Sequence, residues 1–192
     1  MLRPLAVTDF EAWREVRTRS RDWLVKWEPR PLPGQPDATE DRRVFAARCG
    51  ARDRERQLGS GYGFGIFVGA DHARFAGEIN LSSVQRGPYQ NAYVGYWIDQ
   101  GQAGHGYVPE AFVVLCRFAF EELGLHRLQA SIIPRNAPSH RVAQKVGLRN
   151  EGTALRYLEI NGVWEDHVRY AITSEDWEER RDDYLRRWLL PE

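Results

Sequence analysis

The sequence predicts a single α+β domain, a mostly antiparallel sheet flanked by helices. Three observations carry that reading. Apolar residues at helical spacing mark the beginning, the middle and the end of the chain, and between them lie short runs rich in aromatic and β-branched residues. The order is helices, antiparallel strands, a strand–turn–helix–strand unit, a short helix and a hairpin, with no repeat or low-complexity linker to divide it. At 192 residues the chain suffices for one sizeable core and is short for two, so residues 1–192 are read as one domain.

The elements follow in order. Phe10, Trp13, Val16 and Arg17 stand at helical spacing, which predicts a helix over residues 8–25 with Thr8 or Asp9 as N-cap. Residues 29–37 carry four prolines and a glycine and must be loop. Val44, Phe45 and Ala47 give a second amphipathic helix over 39–56, followed by a break over 59–63. Strands are predicted over 63–68, 76–82 and 93–98, with 85–91 as the loop joining the last two. A helix runs from Pro109 to about Leu123, stopped by Gly124. A strand over 126–133 ends at Pro134, and a short helix over 138–146 ends at Gly147. Strands over 155–159 and 164–172 are joined by Asn161-Gly162, a strong hairpin signal. Trp177, Tyr184, Trp188 and Leu189 form the apolar stripe of a charged helix over 174–190.

Composition narrows the class. Apolar residues make up 42 %, as in an ordinary globular protein, and no apolar run approaches membrane-spanning length. The first residues lack the apolar core of a signal peptide, so a cytoplasmic protein is expected. Lys+Arg and Asp+Glu both number 27, which gives no reason to expect nucleic-acid binding. Two cysteines and five histidines show neither a disulfide framework nor metal-ligand spacing, so no metal is expected.

The chemistry is concentrated between the third strand and the helix after it. There the chain reads Ala103, Gly104, His105, Gly106, Tyr107, Val108. A strand, a glycine-containing turn and a helix make an anion site. The first helical turn has unpaired N–H groups and the positive end of the dipole, and glycine lets a phosphate approach the backbone. The same two glycines would also serve simply to shape the turn. The first reading predicts a phosphate-bearing cofactor.

With this turn and this order of elements, the chain resembles the GNAT superfamily of acetyl-CoA-dependent N-acetyltransferases. The pyrophosphate turn of that family follows Gln/Arg-x-x-Gly-x-Gly/Ala. Gly106 takes the first glycine and Val108 the last position, and Ala103 replaces the Gln/Arg. The C-terminal half is similar to the Rim-type ribosomal-protein alanine N-acetyltransferases, in the branch whose hairpin ends in an Asp-His pair. The matching residues are Leu125-His126-Arg127-Leu128, Asn136-Ala137-Pro138-Ser139, Lys145-Val146-Gly147-Leu148, Glu151-Gly152 and the hairpin from Asn161 to Asp166-His167. The resemblance runs from about Phe64 to Trp177. It implies the GNAT fold, with a splayed central sheet, and acetyl-CoA as acetyl donor.

Residue by residue, the resemblance implies that the backbone of residues 103–108 cradles the pyrophosphate. Trp97 and Ile98, at the end of a strand that splays from its neighbour, are expected to pair with the pantetheine amides. Asn136 is expected to touch the cofactor, and the Ser139 hydroxyl to meet the sulfur and give a proton to the departing thiolate. Capping of the short helix is the plain alternative for both, and Tyr157 is the alternative acid. The general base is open. Leu158 stands where a related branch carries Glu, leaving Glu78 as candidate, with Glu159 on the opposite face by strand alternation; either also reads as a solvated carboxylate. Tyr93, Tyr96, Trp164 and Asp166 are expected to line the acceptor groove, or to be core. The acceptor is expected to be the N-terminal α-amine of a ribosomal or other protein. The rivals are a small amine, such as an antibiotic or polyamine, and a non-catalytic acyl-CoA-binding module. The sequence leaves monomer and homodimer open.

Overall fold

The computed structural model describes residues 1–189. Seven strands form one sheet in the order β1-β2-β3-β4-β5-β7-β6. The strands are β1 (Leu2–Arg3), β2 (Tyr62–Val68), β3 (Arg74–Gln85), β4 (Asn91–Ile98), β5 (Arg127–Ile132), β6 (Arg149–Ile160) and β7 (Val163–Thr173). Neighbours are antiparallel except β4 and β5, which run parallel. The helices are α1 (Phe10–Arg19), α2 (Arg21–Leu24), α3 (Arg42–Gln57), α4 (Tyr107–Arg117), α5 (Ala137–Val146) and α6 (Ser174–Tyr184).

Two cores sandwich the sheet. On one face Phe10, Trp13 and Val16 of α1 and Phe45 and Cys49 of α3 pack on Phe67 and Phe75. The i, i+3, i+6 and i, i+4 spacings of these residues are what put them on one side of their helices. On the other face α4, α5 and α6 bury Phe112, Leu115, Val146 and Trp177 against Ile79, Leu81, Leu128 and Ile172. The ends of α5 are set locally. Asn136 caps its first turn, accepting from Ser139 N at 3.3 Å, and Gly147 ends it at φ +74°, with Leu148 N donating to Ala143 O at 2.9 Å.

The predicted helices and strands are found, with four differences. The first helix stops at Ser20, whose hydroxyl donates to Asp99 Oδ1 at 2.8 Å, and the chain resumes as the single turn of α2. Beyond α4 and α6 the helices continue as wider π-type turns over Phe118–Glu122 and Leu185–Leu189; Leu190, the last residue of the predicted terminal helix, lies outside the described residues. β1 is too short to show periodicity, yet it pairs with Ile66 and Gly65, and the N-terminal amine donates to Phe67 O at 3.0 Å. β6 begins at Arg149 rather than at residue 155, as an exposed edge strand interrupted twice in its pairing with β7. The Asn161-Gly162 turn is as predicted, with φ of +48° and +85°.

Candidate active site

β4 and β5 pair over only three residues, ending at Tyr93 opposite Gln129. Beyond that point they part, and β4 keeps β3 as its partner as far as Ile98 opposite Gly77. Asp99 N donates to Ala76 O at 2.7 Å, and a Cβ built on Gly77 would stand 2.2 Å from Trp97 O. Alternation therefore turns the N–H and C=O of Tyr93, Gly95 and Trp97 toward β3, and those of Val94, Tyr96 and Ile98 into the fork. This corrects one expectation. Ile98 offers its backbone to a ligand in the fork and Tyr96 joins it, but the backbone of Trp97 belongs to the ladder. The Trp97 ring packs on the α1–α3 face, 5.8 Å from the ring of Phe75 and 4.8 Å from the guanidinium of Arg17.

The turn after β4 is held from beneath by a buried carboxylate. Asp99, 1 % exposed, accepts from Arg19 Nη2 at 2.6 Å, Ser20 Oγ at 2.8 Å and Gly101 N at 3.3 Å, while Gln100 N donates to Ser20 Oγ at 3.1 Å. Burial pushes the Asp99 carboxyl up, but these donors outweigh it and hold it below its ordinary value. Neither Ser20 nor Asp99 was singled out from the sequence; the signal was a serine and an aspartate at positions otherwise read as helix interior and strand end. Gly104 and Gly106 both have φ +86°, and a Cβ on Gly104 would meet nothing within 4 Å. Gly106 caps α4, whose third residue, Pro109, has no N–H to leave unpaired. The N–H groups of Tyr107 and Val108 open the helix without helical partners, and an open, glycine-walled helix start fits a pyrophosphate. The side chains of this stretch are occupied elsewhere: Val108 is buried, and His105 stacks on Tyr107 with ring centres 5.8 Å apart.

Across the fork stands the start of α5. The Tyr96 hydroxyl spans the gap and donates to Ser139 O at 3.5 Å, while its ring packs on Phe112. Burial pushes the Tyr96 phenol up to about 12, so it is a neutral donor near neutral pH. Tyr96 was expected to line the acceptor groove with Tyr93. Three residues apart on a strand, the two face opposite ways; Tyr96 lies on the α4–α5 face and Tyr93 on the other. Ser139 and Asn136 lie together at the fork on the Tyr96 side.

The opposite face carries a polar cluster. Tyr93 on β4 and Gln129 on β5 share a register position, and Ser131 on β5 stands opposite Arg169 on β7. Tyr157 reaches this cluster because β6 bulges. Arg156 adopts φ +48°, and its N–H donates to Asp166 Oδ1 at 2.8 Å. That bond makes Asp166 the brace of the bulge, where it had been expected to meet the acceptor. The Tyr157 ring lies 5.9 Å from His167 and 5.1 Å from the guanidinium of Arg169. Burial, with the Tyr93 hydroxyl beside it, raises the Tyr157 phenol above its ordinary value. Gln129, Ser131 and Arg169 were not identified from the sequence; their signal was polar residues at alternate positions of strands otherwise read as core.

Glu78 lies on the α1–α3 side of the sheet, opposite Trp97. Both its oxygens are engaged, by Trp13 Nε1 at 2.8 Å and Arg48 Nη2 at 2.6 Å. A carboxylate with both oxygens committed joins α1 and α3 to the sheet and is poorly placed to take a proton. Glu159 stands opposite Trp164 on the β6–β7 hairpin, and Trp164 is 62 % exposed, at the rim rather than in a groove. The hairpin tip is tied to the chain after α2: Asn161 N donates to Glu28 O at 2.9 Å, and Arg30 Nη2 to Asn161 O at 3.4 Å. Among the described residues no group of three or more His, Cys, Asp or Glu could hold a metal, and no helix is long and apolar enough to cross a membrane.

Comparison with known proteins agrees with this geometry. Residues 1–149 match the family described as the acetyltransferase (GNAT) domain. The chain is 34 % identical over 175 residues to a probable N-acetyltransferase, YjcK, of Bacillus subtilis, covering 91 % of this chain and 94 % of that one. It is 33 % identical over 173 residues to the ribosomal protein uS5-alanine N-acetyltransferase of Escherichia coli, covering 89 % and 87 %. Among solved structures, Mycobacterium smegmatis RimJ in complex with CoA-disulfide superposes with a TM-score of 0.83 at 31 % identity, covering 96 % of this chain and 86 % of that one. The ribosomal-protein-S5-alanine acetyltransferase of Vibrio fischeri gives 0.81 at 28 % identity, covering 92 % and 93 %. By the family match over residues 1–149 and the similarity along nearly the whole chain, the chain belongs to the GNAT family as an acetyl-CoA-dependent N-acetyltransferase of the Rim type.

Proposed function

We propose that this enzyme acetylates the N-terminal α-amine of a protein, with a ribosomal protein as the first candidate. The observation that carries the reading is the similarity, over nine-tenths of the chain, to the uS5-alanine N-acetyltransferase of Escherichia coli. The electrostatics of the site support it. An α-amine has a pKa of about 8 and is partly neutral near physiological pH, whereas a lysine amine needs a strong base. Glu78, the carboxylate that the sequence offers for that role, is committed to Trp13 and Arg48.

Acetyl-CoA supplies a thioester, whose acetyl carbon the amine attacks directly as CoA leaves. The chain's own residues bind and orient. The backbones of Tyr96 and Ile98 face the fork and suit the pantetheine amides. The N–H groups of residues 104–108 suit the pyrophosphate, with Asn136 at the fork's other wall. Tyr157 and Tyr93 stand on the other face of the fork, the side assigned to the amine, where the Tyr157 oxygen accepts from an amine N–H and leaves the nitrogen lone pair free to attack. The nitrogen gives up one proton to solvent as the amide forms, and Ser139, on the Tyr96 side with the cofactor-facing backbone, passes its hydroxyl proton to the departing thiolate and regains one from solvent. Most of the acceleration comes from holding amine and thioester together.

Initial rates of CoA release, with an alanine-starting peptide against polyamines and aminoglycosides, test the reading. The peptide is expected to be the better substrate; release with the small amines alone would contradict it. In the same assay Ser139→Ala is expected to lower kcat about 10- to 100-fold with acetyl-CoA affinity nearly unchanged, the low end for a general acid because a thiolate leaves readily. Tyr157→Phe is expected to act mainly on KM for the amine. Wild-type kcat in Ser139→Ala, where chemistry limits the rate, would leave Ser139 as a helix-entry residue only.

A further inference from the structure

On the sheet face that carries Tyr93 and Tyr157, beyond the point where β4 and β5 part, two buried polar atoms lack a hydrogen-bond partner among the described residues: Arg169 Nε and Ser131 Oγ. They belong to one registered pair across β5 and β7, so both side chains rise from the same face of the sheet. Ser131 is two residues beyond Gln129, where β5 leaves β4, and is therefore the first residue of that face after the strands part. The guanidinium is fixed from two sides. Nη2 donates to Gln129 Oε1 at 2.6 Å, and the group lies 5.1 Å from the Tyr157 ring centre. Gln129 is itself only 7 % exposed. Arg169 forms no ion pair with a carboxylate among the described residues.

A held cation with a spare N–H, next to a spare hydroxyl, calls for an oxygen acceptor, because buried donors left unpaired are costly. The reacting amine cannot fill this role: protonated, it is repelled by the guanidinium, and neutral, its one lone pair is the nucleophile. An oxygen near the amine can. An N-terminal α-amine carries the carbonyl of its own residue on the adjacent carbon, whereas a lysine ε-amine has no such carbonyl. We propose that Arg169, together with Ser131, binds the carbonyl oxygen of the acceptor's first residue and so selects amines that bear a neighbouring carbonyl. The proposal rests on the reading that the acceptor is an α-amine. Arg169 is a specificity-determining residue in this scheme, and its charge also disfavours the protonated form of an amine held beside it.

Two small amines isolate the contact: alaninamide, which has the carbonyl, and isopropylamine, the same branched amine with a methyl group in place of the carboxamide. Each variant is compared with wild type on the same amine, so the different basicities cancel. Arg169→Leu is expected to lower kcat/KM for alaninamide about 10- to 100-fold, the size of a lost hydrogen bond to a charged group, and to change that for isopropylamine less than about twofold. Arg169→Lys is expected to recover part of the preference. Acetyl-CoA affinity by calorimetry reports whether each variant is folded. Should Arg169→Leu fail that check, Ser131→Ala carries the test, with a loss of about 2- to 10-fold on alaninamide alone. Equal losses on both amines, no loss on alaninamide, or no acetylation of alaninamide by the wild type would overturn the proposal. If alaninamide is acetylated with this dependence on Arg169 and an alanine-starting peptide is not, the protein-N-terminus reading fails while the carbonyl contact stands.

Discussion

Gly106→Glu is expected to abolish acetyl-CoA binding, lowering affinity at least about 100-fold. Two effects act together. Gly106 sits at φ +86°, where an L-residue costs about 1–3 kcal/mol unless its surroundings enforce it. The first atom of the new side chain would stand 4.0 Å from the Trp188 ring, an ordinary contact, at the residue that caps the helix start. There its carboxylate meets the position that suits a pyrophosphate and takes the place of the anion at the positive end of α4. Gly106→Ala, with the strain but not the charge, is expected to lose much less. Calorimetric titration of both variants decides it; wild-type affinity in Gly106→Glu would remove this turn from the cofactor site.

The second large effect is expected at Asp99→Ala. The substitution leaves the buried Ser20 hydroxyl without its acceptor and Arg19 with Glu15 alone. Breaking a buried ion pair from one side costs about 3–5 kcal/mol, and the low end applies here because Arg19 is 44 % exposed. The pH dependence has a definite sign. The folded carboxyl lies below its unfolded value of about 3.9, so its stabilisation is fully present above that value and is lost as pH falls through the folded pKa. Urea denaturation at pH 7 and at pH 3 measures both quantities. Wild type is expected to lose more stability between the two than Asp99→Ala does. Equal losses, or a variant as stable as wild type at pH 7, would contradict this role. Because Asp99 also holds the 3-10 turn leading into Gly104 and Gly106, the variant is expected to bind acetyl-CoA more weakly as well.

These two positions show what the sequence could and could not reveal. The glycine turn was legible because two closely spaced glycines, an apolar strand before them and an apolar helix after them are local signals. The Asn-Gly hairpin was legible for the same reason. Asp99 and Ser20 were not, because their partnership spans 79 positions and nothing local distinguishes a buried serine from a helix-surface one. The inward turn of Tyr157 depends on the bulge at Arg156 and its brace Asp166, so a strict alternation along β6 could not place it. Arg169 and Ser131 were hidden because polar residues within apolar strands carry no sign of which face they serve until the register of β5 and β7 is known. Tyr96 is a different case. Alternation along β4 already separates it from Tyr93, so the strand period in the sequence itself argues against one groove for both.

The most direct measurement is of the site of acetylation. A peptide with a free N-terminal alanine and one internal lysine is incubated with enzyme and acetyl-CoA near neutral pH, and the modified residue is located by tandem mass spectrometry. The α-amine is the more neutral of the two, and the site offers a lysine no free carboxylate at Glu78 to deprotonate it. Acetyl at the N-terminus with the lysine untouched is the predicted result. Acetyl on the lysine with a free N-terminus would contradict the account.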